Sequence, residues 1–186
     1  MIAVTNPKVH IMSKNQFSYF LKQHEKIQKE STIDWEKQKQ EWLAYIDEFY
    51  SSLEEWFQPY VDEGSVQYEY NSFELVEDNI GSYEVKEMKI RFAEQSVLVR
   101  PVGTLLIGTK GRIDMEGARG RIQFLLADKD SSGIKARVSI NEPLPKESPR
   151  EINWIWKVVL RDSRGIQFED FTEENFFDAL MEIIHV

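Results

Sequence analysis

Two hydrophobic periods divide the chain. Up to about residue 63, apolar positions recur at intervals of three and four, and beyond Gly64 they alternate with polar ones. The first period is that of helices and the second that of strands. In the front part, Ser13 and Gln16 have the spacing of a capping box, which predicts a helix over 14–29 with Phe17, Phe20, Leu21, His24 and Ile27 on one stripe. A break at Glu30-Ser31-Thr32 follows, where Ser31 or Thr32 caps a second helix with Asp34 in its first turn.

The second helix has the clearest pattern. Trp35, Lys39, Trp42, Ile46, Phe49, Leu53 and Trp56 form a heptad seam broken only by the lysine. The short connection predicts an antiparallel helical hairpin, with Ile27 near Trp35, Phe20 near Trp42 and Phe17 near Ile46. The first helix then runs out, and Leu53, Trp56 and Phe57 need another surface. They either pack on the downstream sheet or form an interface with a protein partner or a second copy of the chain. Pro59 ends or kinks the helix, and Gly64 stops it.

Period two then predicts about seven or eight antiparallel strands: SVQYEY, FELVED, YEVKEMKIRFAE, SVLVR, TLLIGTKGRIDM, GRIQFLLAD, IKARVSI and NWIWKVVL. The last, with apolar residues on both sides, is expected to be covered on both faces. Residues 141–152, with three prolines, read as a loop. Thr172 caps a final amphipathic helix whose stripe is Phe176, Phe177, Leu180, Ile183 and Ile184.

The fold class expected is α+β: an N-terminal helical hairpin over 1–63, as an appendage or part of the same domain, and an antiparallel β body over 64–186 closed by the C-terminal helix. The strand-rich body with its single C-terminal helix resembles pleckstrin-homology-type domains over about residues 65–185. That resemblance is architectural, rests on no motif, and implies a sandwich or barrel.

Composition narrows the chemistry. The 186 residues include no cysteine and three histidines, His10, His24 and His185, far apart in sequence. Thiolate chemistry is excluded, and a zinc site of the usual ligands, or a Ser-His-Asp arrangement, finds no support. The composition fits a reducing, cytoplasmic setting, and no apolar run approaches the ~20 residues of a membrane span. Net charge is −9. It is unevenly spread: residues 93–165 carry 13 basic and 9 acidic groups, whereas 166–186 carry 6 acidic and no basic ones. The overall sign argues against non-specific nucleic-acid binding, while the basic middle keeps a local anion site open.

Four constellations bear on function. In GTLLIGTKGR, Gly103 and Gly108 have the spacing of a phosphate loop, but Thr109 and Lys110 stand in reversed order and a strand pattern follows where a helix is required. A bulge or bend at Gly108 and Gly111 is the better reading. Lys110, Arg112, Arg121, Lys135 and Arg137 alternate with apolar residues, so neighbouring strands would place them on one outward face, as an anion site or as a face neutralised by the acidic C-terminal helix. Glu84-x-Lys86 and Glu87-x-Lys89, preceded by Asp62 or Asp78, have the residue types of metal-dependent PD-(D/E)xK nucleases, without the helix expected after the motif strand. Asp114 with Glu116 and Asp128 with Asp130 read as solvated turn acids.

These patterns favour a non-catalytic binding or adaptor protein that acts through protein contacts, of which a toxin-neutralising protein is one version. An anion or nucleic-acid binder and a metal-dependent nuclease are the alternatives. No cofactor is called for.

Overall fold

The structure, a computed structural model, describes residues 34–104, 109–131, 152–162 and 165–184. The chain forms two units, Met1–Asp34 and Trp35–Val186. The expected first helix, the strand IKARVSI and nearly all of the loop over 141–152 lie outside the described residues.

The elements of the second unit are α1 (Trp35–Asp62), β1 (Val66–Glu77), β2 (Gly81–Phe92), β3 (Gln95–Gly103), β4 (Gly111–Gly117), β5 (Gly120–Asp128), β6 (Trp154–Asp162), β7 (Gly165–Asp170) and α2 (Glu173–Ile183). The strands form one antiparallel sheet in sequence order, β1 to β7. This is the α+β class, but the sheet is a single open layer with β1 and β7 at its edges. The sandwich or barrel implied by the pleckstrin-homology-type resemblance is not what the strands build.

α1 belongs with the sheet. Trp42, Ile46, Phe49, Tyr50, Leu53 and Phe57 are buried in the same core as Ile113, Met115, Phe124 and Trp156. The seam spacing puts these side chains on one side of the helix, and the sheet supplies the matching apolar face. Pro59 stays inside the helix, which continues to Asp62. There the amide of Gly64, at φ 75°, donates to Val61 and that of Ser65 to Tyr60, so the last carbonyls are satisfied and the helix stops.

Both helices lie on the same face of the sheet. Along β4, the odd positions Gly111, Ile113, Met115 and Gly117 point to that face. Gly111 lies under Trp42, and a Cβ on Gly117 would come within 2.5 Å of the Ile183 carbonyl oxygen. The Arg119 amide donates to that same carbonyl at 2.9 Å, so the β4–β5 turn caps the end of α2. At the start of α2, Thr172 Oγ1 accepts from the Asn175 amide, as its sequence predicts. Aromatic rings fill the space between the helices and the sheet. Phe49 stacks on Phe171 at 4.4 Å and meets Phe124 and Trp156 edge-on, each at 5.1 Å.

SVQYEY and FELVED are one strand. Tyr68 and Tyr70 on β1, and Met88 and Ile90 opposite them, face the helices. Past Asn71 and Ser72 the buried positions change parity to Phe73, Leu75 and Glu77, with Tyr83 and Val85 on β2. The hairpin therefore turns over at Asn71-Ser72, and β2 pairs with β3 only from Met88 to Phe92. Its far end returns to the body through Glu77, whose carboxylate accepts from the Thr104 amide and hydroxyl, both at 2.7 Å, and from the Tyr83 hydroxyl.

β6 is covered on both faces, as expected. Val158 is buried in the core beneath the helices, while Val159 joins Leu125, Ala127 and Phe168 in a second apolar cluster. β7 stands where the hydrophobic pattern predicts no strand. Its six residues carry only two apolar side chains at alternate positions, Ile166 and Phe168, a signal too short to stand out.

Candidate functional surfaces

Among the described residues of the expected basic face, Arg112 and Arg121 are ion-paired and Lys110 lies apart from them. Arg112 and Arg121 do share the outward face of β4 and β5. The alternation that points Arg112 outward does the same for Asp114 and Glu116, two and four residues on. Arg112 donates to both Asp114 oxygens from Nε and a terminal nitrogen, each at 2.6 Å. Arg121 pairs with Glu116 at 3.0 Å and stands 3.6 Å from Asp114. The bidentate contact with Asp114 holds the Arg112 pKa above its ordinary value, against a smaller desolvation effect. The neutralising acids thus come from β4 itself, not from the C-terminal helix.

Lys110 leaves that face. It lies just before β4, with its amide bonded to the Leu126 carbonyl at 2.7 Å, and its ammonium pairs with Glu41 on α1. Nζ sits 5.2 Å from the Tyr45 ring centre and 5.8 Å from that of Trp154. Lys135 and Arg137 lie outside the described residues. So do residues 105–108 of the glycine-rich stretch, and Gly111, at its end, opens a strand.

The surplus aromatic stripe of α1 is used within the chain. Leu53 and Phe57 are 0% and 2% exposed. Phe57 meets Phe176 and Phe177 of α2 edge-on, and Trp56 lies 4.8 Å from Phe171. Leu53 and Phe57 are thus covered by the chain's own body, and Trp56 is partly buried against it. Beyond Trp56 the stripe ends at the exposed Tyr60, which lies 6.0 Å from Phe177.

The acidic-x-lysine residues are dispersed over the β1–β2 hairpin. Glu84 is exposed opposite Glu74, Glu87 stands 3.6 Å from Arg100, and Lys86 lies over the Tyr70 ring at 5.9 Å. Among the described residues, no three His, Cys, Asp or Glu side chains gather as metal ligands would. Asp128 accepts from the Asp130 amide at 3.2 Å, which is turn chemistry.

What does gather is acid on the helical face. After Lys39, α1 carries Glu41, Asp47, Glu48, Glu54, Glu55 and Asp62 with no basic residue, and α2 carries Glu173, Glu174, Asp178 and Glu182 with none. Glu41 is matched by Lys110, and Glu54 accepts from the Tyr70 hydroxyl at 2.8 Å. The other eight are exposed. Asp62 is held by Gln58, a neutral partner that leaves its charge in place. Among the described residues the two sides therefore differ: Arg112 and Arg121 on the outward side are matched by β4 acids, whereas the exposed charges of α2, and of α1 beyond Lys39, are negative. The acidic C-terminal segment is plain in the sequence, but its role beside the sheet's cations is not, because nothing local tells which side of a sheet a helix will cover.

No family of proteins, no curated protein and no solved structure matches the chain, so its function is read from these surfaces. Among the described residues, no helix is long and apolar enough to cross a membrane.

Proposed function

We propose that the protein is a non-catalytic binding module, of the adaptor or toxin-neutralising kind, and that its helical face takes a basic protein partner. One observation carries this reading: every exposed charge on α2, and on α1 beyond Lys39, is negative. Such a surface repels nucleic acid and anionic lipid and draws in a cationic surface, which raises association rate and selectivity more than it raises intrinsic affinity. A cytoplasmic setting belongs to the proposal and rests on the cysteine-free composition.

The test is capture of a stoichiometric protein partner by the full chain at moderate salt. Two charge-reversal variants are compared, Glu55→Lys/Asp62→Lys/Asp178→Lys on the helices and Arg112→Glu/Arg121→Glu on the sheet. Loss of the partner in the helical variant alone supports the reading. Loss in the sheet variant alone, or recovery of nucleic acid in place of a protein, overturns it.

A further inference from the structure

A groove of about 360 Å³ opens beside α1, where it meets β6 and the approach to α2. Tyr45, Trp154, Trp156 and Phe171 contribute its aromatic wall, and Glu48 and Asp170 its acids. The wall is held in place by the fold. The Trp156 indole N–H donates to the Tyr45 carbonyl at 3.1 Å, and Phe171 is stacked on Phe49. Asp170 already accepts from Lys157, which is buried, so its charge is matched. Glu48 is exposed, and among the described residues its carboxylate has no side-chain partner.

The chain itself shows what these rings accept. Lys110 places its ammonium over both Tyr45 and Trp154 and pairs with Glu41, one helical turn before Tyr45. Lys110 does not line the groove, and Glu48, about one turn after Tyr45, repeats the carboxylate there with no ion pair among the described residues. Aromatic faces beside a free carboxylate suit a guanidinium, which is planar, stacks on rings and forks onto a carboxylate.

We infer that this groove receives an arginine side chain of the basic partner, stacked on the Trp154–Tyr45 wall and paired with Glu48. The inference rests on the helical-face reading and names its anchor point. Arginine and large aromatics are the residues that carry most interface energy when they meet in a walled site. Lys129 also lines the groove and opposes an incoming cation. Its ammonium is therefore expected to weaken the contact.

The probe is an octa-arginine peptide added to the full chain, with octa-glutamate as control, read by the NMR signal of the Trp154 indole N–H and by titration calorimetry. The expected result is a saturable shift of that indole, with affinity falling about tenfold in Glu48→Lys and in Trp154→Leu and rising in Lys129→Gln. Glu48 is exposed, so its variant leaves the fold intact, and Trp154→Leu is checked by its urea midpoint. If octa-arginine binds equally well to Glu48→Lys and Trp154→Leu but not to Glu55→Lys/Asp62→Lys/Asp178→Lys, the groove is refuted and the acidic face stands. If octa-arginine does not bind at low salt, or octa-glutamate binds as well, both readings fall.

Discussion

Gly111 lies directly beneath the indole of Trp42, so that a Cβ on the glycine would stand 2.2, 2.6 and 2.9 Å from three ring carbons. The glycine at the start of β4 is thus a packing residue, and the helix owes its seat on the sheet to the missing side chain. Trp42 is fully buried and cannot swing into solvent. Gly111→Ala is expected to cost about 2 kcal/mol through forced displacement of the ring. Gly120→Ala is the control, because its Cβ would meet only Ile183 Cγ2 at 3.7 Å, an ordinary contact. Urea midpoints for the two variants check this, and equal midpoints would show that the helix can shift without penalty.

The β2–β3 turn should be improvable. Ala93 and Glu94 occupy φ 46° and 61°, both in the left-handed region, between the paired residues Phe92 and Gln95. That is the geometry of a two-residue turn which Asn-Gly adopts most readily, and neither resident gains from it. Ala93→Asn/Glu94→Gly is expected to raise stability by about 1 kcal/mol. An unchanged or lowered unfolding temperature would mean that contacts made by the present side chains outweigh the backbone cost.

Asp114 and Glu116 of β4 pair with the two described cations of the outward face, Arg112 and Arg121. Replacing Asp114 and Glu116 by Asn and Gln preserves shape but removes the partners of Arg112 and Arg121. The variant is expected to gain about tenfold in heparin affinity at low salt over the parent chain, with the steep salt dependence of counterion release. A parent chain that already binds heparin as strongly would return the basic face to consideration.

The sequence discloses elements whose burial is one-sided and continuous. α1 shows itself by its seam, α2 by Thr172 and its apolar stripe, and β6 by Trp154, Trp156 and Val158 alternating with Ile155 and Val159. It conceals changes of face. The parity switch at Asn71-Ser72 makes one strand read as two, because the pattern reports only which positions are covered and not that the hairpin turns over. Alternation alone groups Lys110 with Arg112, yet the backbone leaves the strand before Gly111 and turns the lysine toward Glu41. The Arg112–Asp114–Glu116 match is legible two residues apart. The groove beside α1 is not, since Tyr45 and Trp154 are brought together only by tertiary packing.

Tyr50 makes stability depend on alkaline pH. Its ring is buried, and its hydroxyl donates to the Lys86 carbonyl at 2.8 Å, with the Val99 carbonyl sharing the contact at 3.2 Å. These carbonyls stand where β2 and β3 part, that of Val99 in the last pair, with Met88, and that of Lys86 just beyond it. Burial, with the nearby Glu87 charge, pushes the hydroxyl pKa well above its ordinary value of 10.0, so the folded state holds this proton more tightly than the unfolded one. The stabilisation is complete below pH ~10 and is lost as pH rises further, because only the unfolded tyrosine then ionises. Tyr50→Phe is expected to cost about 1 kcal/mol at neutral pH for the lost hydrogen bond. Above pH ~10 its stability should fall less steeply than the parent's, by up to about 1.4 kcal/mol per pH unit. Tyr70 and Tyr83, also shifted upward by partial burial and by Glu54 and Glu77, keep some of the decline in both proteins. Urea unfolding across pH 7 to 11 separates the two effects. Parallel curves for parent and variant would show that Tyr50 ionises as easily folded as unfolded.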